Sequence, residues 1–422
     1  MWISASIRMV FFALAIIVGP SKQTPVFPAN PSGLTQEPPA VQGMESARKA
    51  LLARAEVLAP GDLPALAYKA EKGDSESQFL LGYAYAYGRG TDKDLSKAIV
   101  WFQSAARQGH PMAQNGLGLL YRTGRGVPKN SAEAFTWFRK AAEQNYSSAE
   151  ANLGWMYCIG EGVEVNPSEG LKWLNKSADQ GNALAQNLLG YAYRDGKCAE
   201  KNENAAVGWF RKAAAQGDAH GLSNLADMYA LGRGVTRDPA EALRWYEKAA
   251  EAGDPLSQYN MGWAYHSGQG VRKDKDLAEK WFRKASDKGR GQASYWLGSI
   301  YWNESGEFTH VTARDYFEKA AEQRFPPGAL ALGDIYSSFS KSLRGRVPRD
   351  FVTACVWYSI AGELDRKSGW EKEFPEKVAE FRQEVSEKLL SVRNKLESKE
   401  VSDCQLRSSD WIKAHPSSLS AD

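Results

Sequence analysis

Apolar and polar positions in this chain alternate on two scales. On the short scale, Ala134, Trp137, Phe138 and Ala141 stand at i, i+3, i+4 and i+7, one stripe of a helix, and Ala113, Leu117, Leu120 and Tyr121 form another. On the long scale, shifting the sequence by 36 residues superposes Gly82, Gly118, Gly154, Gly190, Ala226, Gly262 and Gly298, and Gly333 follows 35 further on. A tyrosine comes three residues after each, from Tyr85 and Tyr121 to Tyr301 and Tyr336. Further along each unit a large ring precedes a second apolar residue, at Trp101, Trp137, Trp173, Trp209, Trp245, Trp281, Tyr316 and Trp357. A fixed period of this length marks units that cannot bury their own apolar face and must stack on neighbours. The pattern predicts an all-α chain of about eight helix–turn–helix repeats.

The joints are equally legible. The first helix of a unit ends in Gly-x-Gly, as in Gly124-Arg125-Gly126 and Gly232-Arg233-Gly234, where glycine supplies the left-handed turn that stops a helix. The second starts with sequences such as Asn166-Pro167-Ser168-Glu169, read as an N-cap, a first-turn proline and a capping-box glutamate. Because the Gly-x-Gly pairs follow a helix rather than a strand, they do not read as a phosphate loop. A glycine inside a helix costs about 1 kcal/mol relative to alanine. Its return in seven of eight units implies the close approach of a second backbone.

The chain divides by pattern into five parts. Residues 1–20 contain the apolar run Met9 to Gly19 behind Arg8, which fits a secretory signal, with an uncleaved membrane anchor as the alternative. Residues 21–43 are proline-rich and read as an extended spacer. Residues 44–73 supply capping helices, 74–364 the repeats, and 365–422 a helical C-terminal extension. In that extension Val378, Phe381, Val385, Leu389, Val392 and Leu396 make one seam, suited to capping the open end of the array, with a dimeric coiled coil as the alternative. Two units are irregular, with a shortened loop at 303–309 and an enlarged one at 337–348 carrying Lys341, Arg344, Arg346 and, just beyond it, Arg349, either an irregular terminal unit or a basic docking loop.

Composition narrows the chemistry. Charged residues are 24% of the chain with net charge +3, so no broad basic field points to nucleic acid. The five histidines are scattered and no catalytic or metal-binding motif occurs, so neither an enzyme nor a cofactor or metal is expected. Cys158, Cys198, Cys355 and Cys404 are an even set in an apparently exported chain. Proximity along the array favours Cys158 with Cys198 and Cys355 with Cys404, the second pair stapling the tail to the last unit. Export to a periplasmic or secreted location is the expectation.

The signature A-x-x-x-L-G-x-x-Y followed by A-x-x-W-F-x-K-A-A resembles that of the Sel-one-like repeat family, relatives of tetratricopeptide repeats, over about Asp74 to Gly362. The resemblance implies a right-handed superhelical solenoid of about eight 36-residue repeats that acts as an adaptor for other proteins and carries no chemistry of its own. In tetratricopeptide geometry the first helix of each unit lines a concave groove. The corresponding positions here are Phe79, Tyr83, Asn115, Leu119, Arg122, Trp155, Asn187, Tyr191, Arg194, Tyr259, Trp263, His266, Tyr295 and Trp302. Aromatic and arginine side chains suit a protein or peptide partner. An aromatic-lined groove also suits a carbohydrate or cell-wall polymer, which is the alternative. A third reading is that the same rings only fill space between consecutive helices.

Overall fold

The computed structural model describes residues 39–303, 309–337, 350–367 and 375–415. The expected signal or anchor segment 1–20, most of the expected spacer, and the loop residues 304–308 and 338–349 with their basic side chains lie outside the described residues. Twenty α-helices and no strand occur among the described residues. They fall into two bodies, one running up to Asp238 and the other starting at Pro239.

In the first body α1 (Pro39–Glu56), a 3-10 turn at Pro60–Asp62 and α2 (Leu63–Glu71) precede the repeats. Helix pairs follow: α3 and α4 (Ser75–Tyr87, Leu95–Arg107), α5 and α6 (Pro111–Thr123, Ser131–Ala142), α7 and α8 (Ser147–Ile159, Pro167–Asp179), α9 and α10 (Ala183–Asp195, Glu203–Ala215), and then α11 (Ala219–Leu231). The second body begins with α12 (Pro239–Glu251), continues with α13 and α14 (Pro255–Ser267, Lys275–Asp287), α15 and α16 (Gly291–Trp302, Thr309–Glu322), α17 and α18 (Pro326–Ser337, Phe351–Lys367), and ends with α19 (Pro375–Arg393) and α20 (Ser398–Ala414). Within each body the consecutive helices of the repeats pack on one another, which is the architecture of an α-solenoid, and both α19 and α20 close the last pair by packing on α18. Val378, Phe381, Val385 and Val392 are buried there, so the seam is spent on the cap rather than left for a coiled coil. Helix α1 starts earlier than the polar pattern suggests, taking the last five positions of the expected spacer, 39–43. A proline at the first helical position forfeits no intrahelical hydrogen bond, so Pro39 begins a helix without penalty.

The recurring glycine is explained by a ring rather than by a second backbone. A Cβ placed on Gly118 would stand 2.6 Å from the Phe138 ring, and Gly82, Gly190, Gly262, Gly298 and Gly333 face Phe102, Phe210, Phe282, Phe317 and Tyr358 in the same way. The ring seated on the glycine is therefore the residue after each tryptophan. Phe138, Phe210 and Phe282 are fully buried, each contributing roughly 1.5 to 3 kcal/mol. The preceding tryptophans are mostly half-buried, with a lysine three residues on lying over the ring, as Lys140 over Trp137 at 4.4 Å and Lys212 over Trp209 at 3.9 Å. Only at Gly154 does backbone come close, the Gly170 carbonyl oxygen at 2.8 Å from such a Cβ, because Leu174 replaces the ring there.

Polar joints repeat as regularly as the core. Asp94, Asn130, Asn166 and Asn202 cap the second helices through their side chains. The reciprocal half of the expected capping box is replaced. The N–H of each cap residue donates instead to the carbonyl of the conserved-position tyrosine one helix earlier, as Asn130 to Tyr121 at 2.9 Å and Asn166 to Tyr157 at 2.9 Å, satisfying an orphan carbonyl at a helix end. Buried glutamines do the same between units: Gln78 donates to Ala70 O at 3.0 Å and Gln114 to Ala106 O at 3.1 Å.

Both disulfides join the cysteines that proximity favoured, Cys158 with Cys198 and Cys355 with Cys404. The first takes three coordinated departures from the repeat. Cys198 stands where other units have the second glycine of Gly-x-Gly, Leu174 replaces a phenylalanine, and Gly170 replaces the alanine found at Ala134 and Ala206. A Cβ on Gly170 would lie 2.6 Å from Cys158 Sγ and 2.9 Å from Cys198 Sγ. The second disulfide staples the cap, since Cys355 lies in α18 and Cys404 in α20.

Two sets of glycine variants test this packing. Gly118→Ala should lower stability by about 1 to 3 kcal/mol in urea unfolding because the Phe138 ring must shift, whereas Gly208→Ala, with open space around it, should be neutral or stabilising by up to about 1 kcal/mol. Equal behaviour of the two would show that the glycine–ring contact is not what constrains the unit. Gly170→Ala should leave thiols at 158 and 198 that react with a thiol reagent in the folded protein, where the parent shows none.

Candidate binding faces of the first helices of the repeats

The first helices of the units are α3, α5, α7, α9 and α11 in one body and α13, α15 and α17 in the other. Their exposed face was expected to carry the groove residues, and the structure sorts these into two groups. Phe79, Asn115, Asn187 and Tyr295 are buried, at 3%, 9%, 3% and 7% exposure, and offer no surface. These four stand three before the glycine, along the seam between consecutive helices, so their side chains meet a neighbour instead of solvent, while Tyr259 at the same position stays partly exposed. Phe79 stacks on His110 at 5.0 Å, and Tyr295 packs against Phe317 and Phe325 at 5.5 and 5.6 Å. Asn115 and Asn187 accept from the amides of Asn152 and Asn224 at 3.2 and 2.9 Å, a polar tie from one first helix to the next.

The others are partly exposed. In the first body, Tyr83 donates its hydroxyl to Glu56 of α1, and Arg89 reaches the other oxygen of Glu56 at 2.6 Å. Burial and the Glu56 carboxylate together push this phenol well above its ordinary value. Arg122 pairs with Glu161 at 2.9 Å, Trp155 packs partly against the core beside Leu189, and Arg194 lies over the Tyr191 ring at 4.6 Å while its guanidinium is held by Asp195 at 2.7 Å. Tyr191 in turn accepts from Asn224 at 2.9 Å. The first body thus presents Arg122, Trp155, Tyr191 and Arg194, each with a bonded or packed support.

In the second body, Trp263 lies 4.9 Å from the buried Trp296, and His266 lies 5.3 Å from the same ring, with Tyr259 against Phe282 at 5.9 Å. Burial pushes the His266 imidazole below its ordinary value, leaving it neutral at pH 7. Trp302 packs on His310 at 4.9 Å. At the far end, Asp334 occupies the position that Trp263 holds two units earlier. It is taken up by Lys388 of α19 at 2.7 Å and by the Tyr358 hydroxyl at 2.8 Å, so the cap covers that end. Sequence reasoning placed capping helices at both ends but not the residues they cover, Asp334 and Tyr83, because neither covering helix has a counterpart in the repeat. Among the described residues no group of three His, Cys, Asp or Glu side chains could hold a metal ion.

The fold and its faces define the class: an α-solenoid of helical hairpins with a variable surface on the first helix of each unit. The Sel1 repeat model matches residues 75–110, 111–146, 147–182, 183–218, 219–254, 255–289, 291–325 and 326–365, and the chain belongs to that family. Members are commonly protein-interaction scaffolds. Among solved structures, the chain is similar to a Sel1 repeat protein from Oxalobacter formigenes, at 31% identity over 58% of this chain and 98% of that one with a TM-score of 0.49. It is also similar to a protective antigen of uropathogenic Escherichia coli strains displaying an SLR fold, at 26% identity over 84% and 95% with a TM-score of 0.30. An immunity protein from Pseudomonas aeruginosa is 20% identical over 52% and 83% with a TM-score of 0.33. Comparison with curated proteins gives no match.

His110 illustrates how a scattered histidine is used. Its Nδ1 accepts from the Ala113 N–H at 3.3 Å as the N-cap of α5, a role that Asn182 plays for α9. Burial first, then the nearby Arg48 charge, pull its imidazole from 6.5 down to about 4. Above pH 6.5 the ring is neutral whether the chain is folded or unfolded. Between 6.5 and 4 only the unfolded chain takes the proton, so stability should fall with pH in that window by at most about 3 kcal/mol. His110→Asn keeps an acceptor at the cap and cannot titrate. It should flatten that part of the pH profile in urea unfolding at pH 7 and 4.5, and an unchanged slope would assign the pH dependence elsewhere.

Proposed function

We propose that this protein is a non-enzymatic adaptor, exported into an oxidising compartment, which holds a protein or peptide partner on the faces of its first helices. The observation that carries the reading is the supported row of half-exposed rings and guanidiniums, Trp155, Tyr191 and Arg194 in one body and Tyr259, Trp263 and His266 in the other. Rigid aromatic and arginine side chains backed by a packed second layer lose little conformational entropy on contact, which is what binding anchors need. Membership of a family of interaction scaffolds supports the same reading. Two disulfides suit an oxidising, exported setting, and the apolar run Met9 to Gly19 is the export signal or anchor in this reading. No described helix is long and apolar enough to cross a membrane. The balanced charge supports a partner other than nucleic acid.

The test compares parent protein with the combined Trp155→Ala, Tyr191→Ala and Trp263→Ala variant in quantitative affinity capture from the native exported fraction, with the two melting temperatures matched. Losing about 1.4 kcal/mol or more of anchor energy should weaken capture of the specific protein at least tenfold. Unchanged capture would remove the partner from these faces. Retention of the parent but not the variant on insoluble polysaccharide, with no protein partner lost, would favour a carbohydrate ligand instead.

A further inference from the structure

The turn between the second and third repeats departs from its counterparts in three places. The left-handed residue is Asn145, where the equivalent turns use Gly109, Gly181 and Gly217. The next residue, Tyr146, heads α7 without any side-chain cap, where His110, Asn182 and Asp218 all cap their helices. One turn on, Glu150 replaces the glutamine found at Gln78, Gln114 and Gln186. Those glutamines each donate to a carbonyl at the end of the preceding helix, at 3.0, 3.1 and 3.4 Å, and a carboxylate cannot. Each change gives up a favourable feature of the array, and the first two lie directly against one neighbour.

That neighbour is Arg48 of α1, nearly a hundred residues away in sequence. Its guanidinium donates to the Asn145 carbonyl at 2.7 Å and the Gln144 carbonyl at 3.0 Å, and lies 5.3 Å from the centre of the Tyr146 ring. Glu150 is fully buried behind this turn, bonded to Lys176 at 2.8 Å and to the Gln180 amide at 2.7 Å. Burial raises its carboxyl above the ordinary value, while Lys176, the Gln180 amide and, least, the charge of Arg48 act against that rise. Two carbonyls, a ring face and a nearby carboxylate are the surroundings that suit a planar, delocalised cation.

We infer that the turn between repeats two and three is a guanidinium-binding site for an arginine-bearing helix, occupied in this chain by Arg48 of α1. The inference stands on the internal contact and does not need the faces described above. Arg48 holds one part of α1, and the other is held by Arg54 on Glu76 at 3.2 Å and by Glu56 on Tyr83 and Arg89. Helix α1 therefore lies as a bound helical ligand across the start of the array, covering Tyr83. A partner helix with arginine in the matching place takes the site by displacing it.

Hydrogen exchange on the full chain tests the site. Arg48→Ala should raise exchange of residues 46–56 at least tenfold while the melting temperature of the repeats is unchanged, and Arg48→Lys should not restore protection, since an ammonium is not a planar fork. Restoring the repeat pattern with Tyr146→Asn and Glu150→Gln should release α1 equally while the array keeps or gains stability. This variant carries the test if Arg48→Ala does not fold. A fluorescent peptide of residues 39–58, added in trans, should bind the full-chain Arg48→Ala protein at least ten times more tightly than the parent, and the same peptide with alanine for Arg48 should not bind. Unchanged protection of α1 in these variants, or peptide binding indifferent to Arg48, would overturn the proposal.

Discussion

The seating of a ring from the second helix of a unit on a glycine of the first is the contact from which the rest of the structure follows. A phenylalanine or tyrosine closes onto the partner helix where that helix has no Cβ, and the fifth unit has only the methyl of Ala226 at that position, so a small residue recurs with the ring, and the two together set the approach of the pair. The cost of a mid-helix glycine, about 1 kcal/mol, is outweighed by the roughly 1.5 to 3 kcal/mol from each buried ring. Repeat three shows how strictly the space is filled. When Leu174 takes the place of the ring, the Gly170 carbonyl moves into the gap, and the volume left at Gly170 receives a disulfide.

Polar contacts then hold the register that the rings establish. Cap residues return their own N–H to a carbonyl at the end of the preceding helix, and buried glutamines bridge from one unit to the next, so the helix ends that a short hairpin would leave unsatisfied are satisfied by the repeat itself. Stability in such an array is close to a sum of unit and interface terms. The exposed side of each first helix can consequently vary without disturbing the stack, which is where Trp155, Tyr191, Arg194 and Trp263 stand.

Departures from the repeat concentrate in and around the third unit. Asn145 and Tyr146 receive Arg48 with Glu150 buried behind them on Lys176, and Cys158, Gly170 and Leu174 accommodate the bond to Cys198. Sister units in one chain experience nearly the same packing, so each acts as a control for the others. A residue that abandons the shared solution must be answering to something outside the unit, here α1 on one side and a neighbouring loop on the other.

The amino-acid pattern by itself determined the helical repeats and their joints, which rest on local periodicity and on the same spacing written eight times. It favoured without deciding the C-terminal cap and the pairing of cysteines, which the packing of α18 with α19 and α20 and the stacking of the units then fixed. The identity of the ring beneath the glycine was not legible: Trp137 and Phe138 share one stripe, and only the helix crossing decides which faces inward. Nor was the division of the groove residues, because Phe79 or Asn187 is hidden by a neighbour one repeat away, not by anything beside it in the chain. The docking of α1 was settled last of all. Arg48 and the carbonyls of Gln144 and Asn145 are backbone and side-chain partners with no repeat of their own, and a contact that occurs once, across nearly a hundred residues, leaves no period to read; it exists only when the stacked units bring its two halves together.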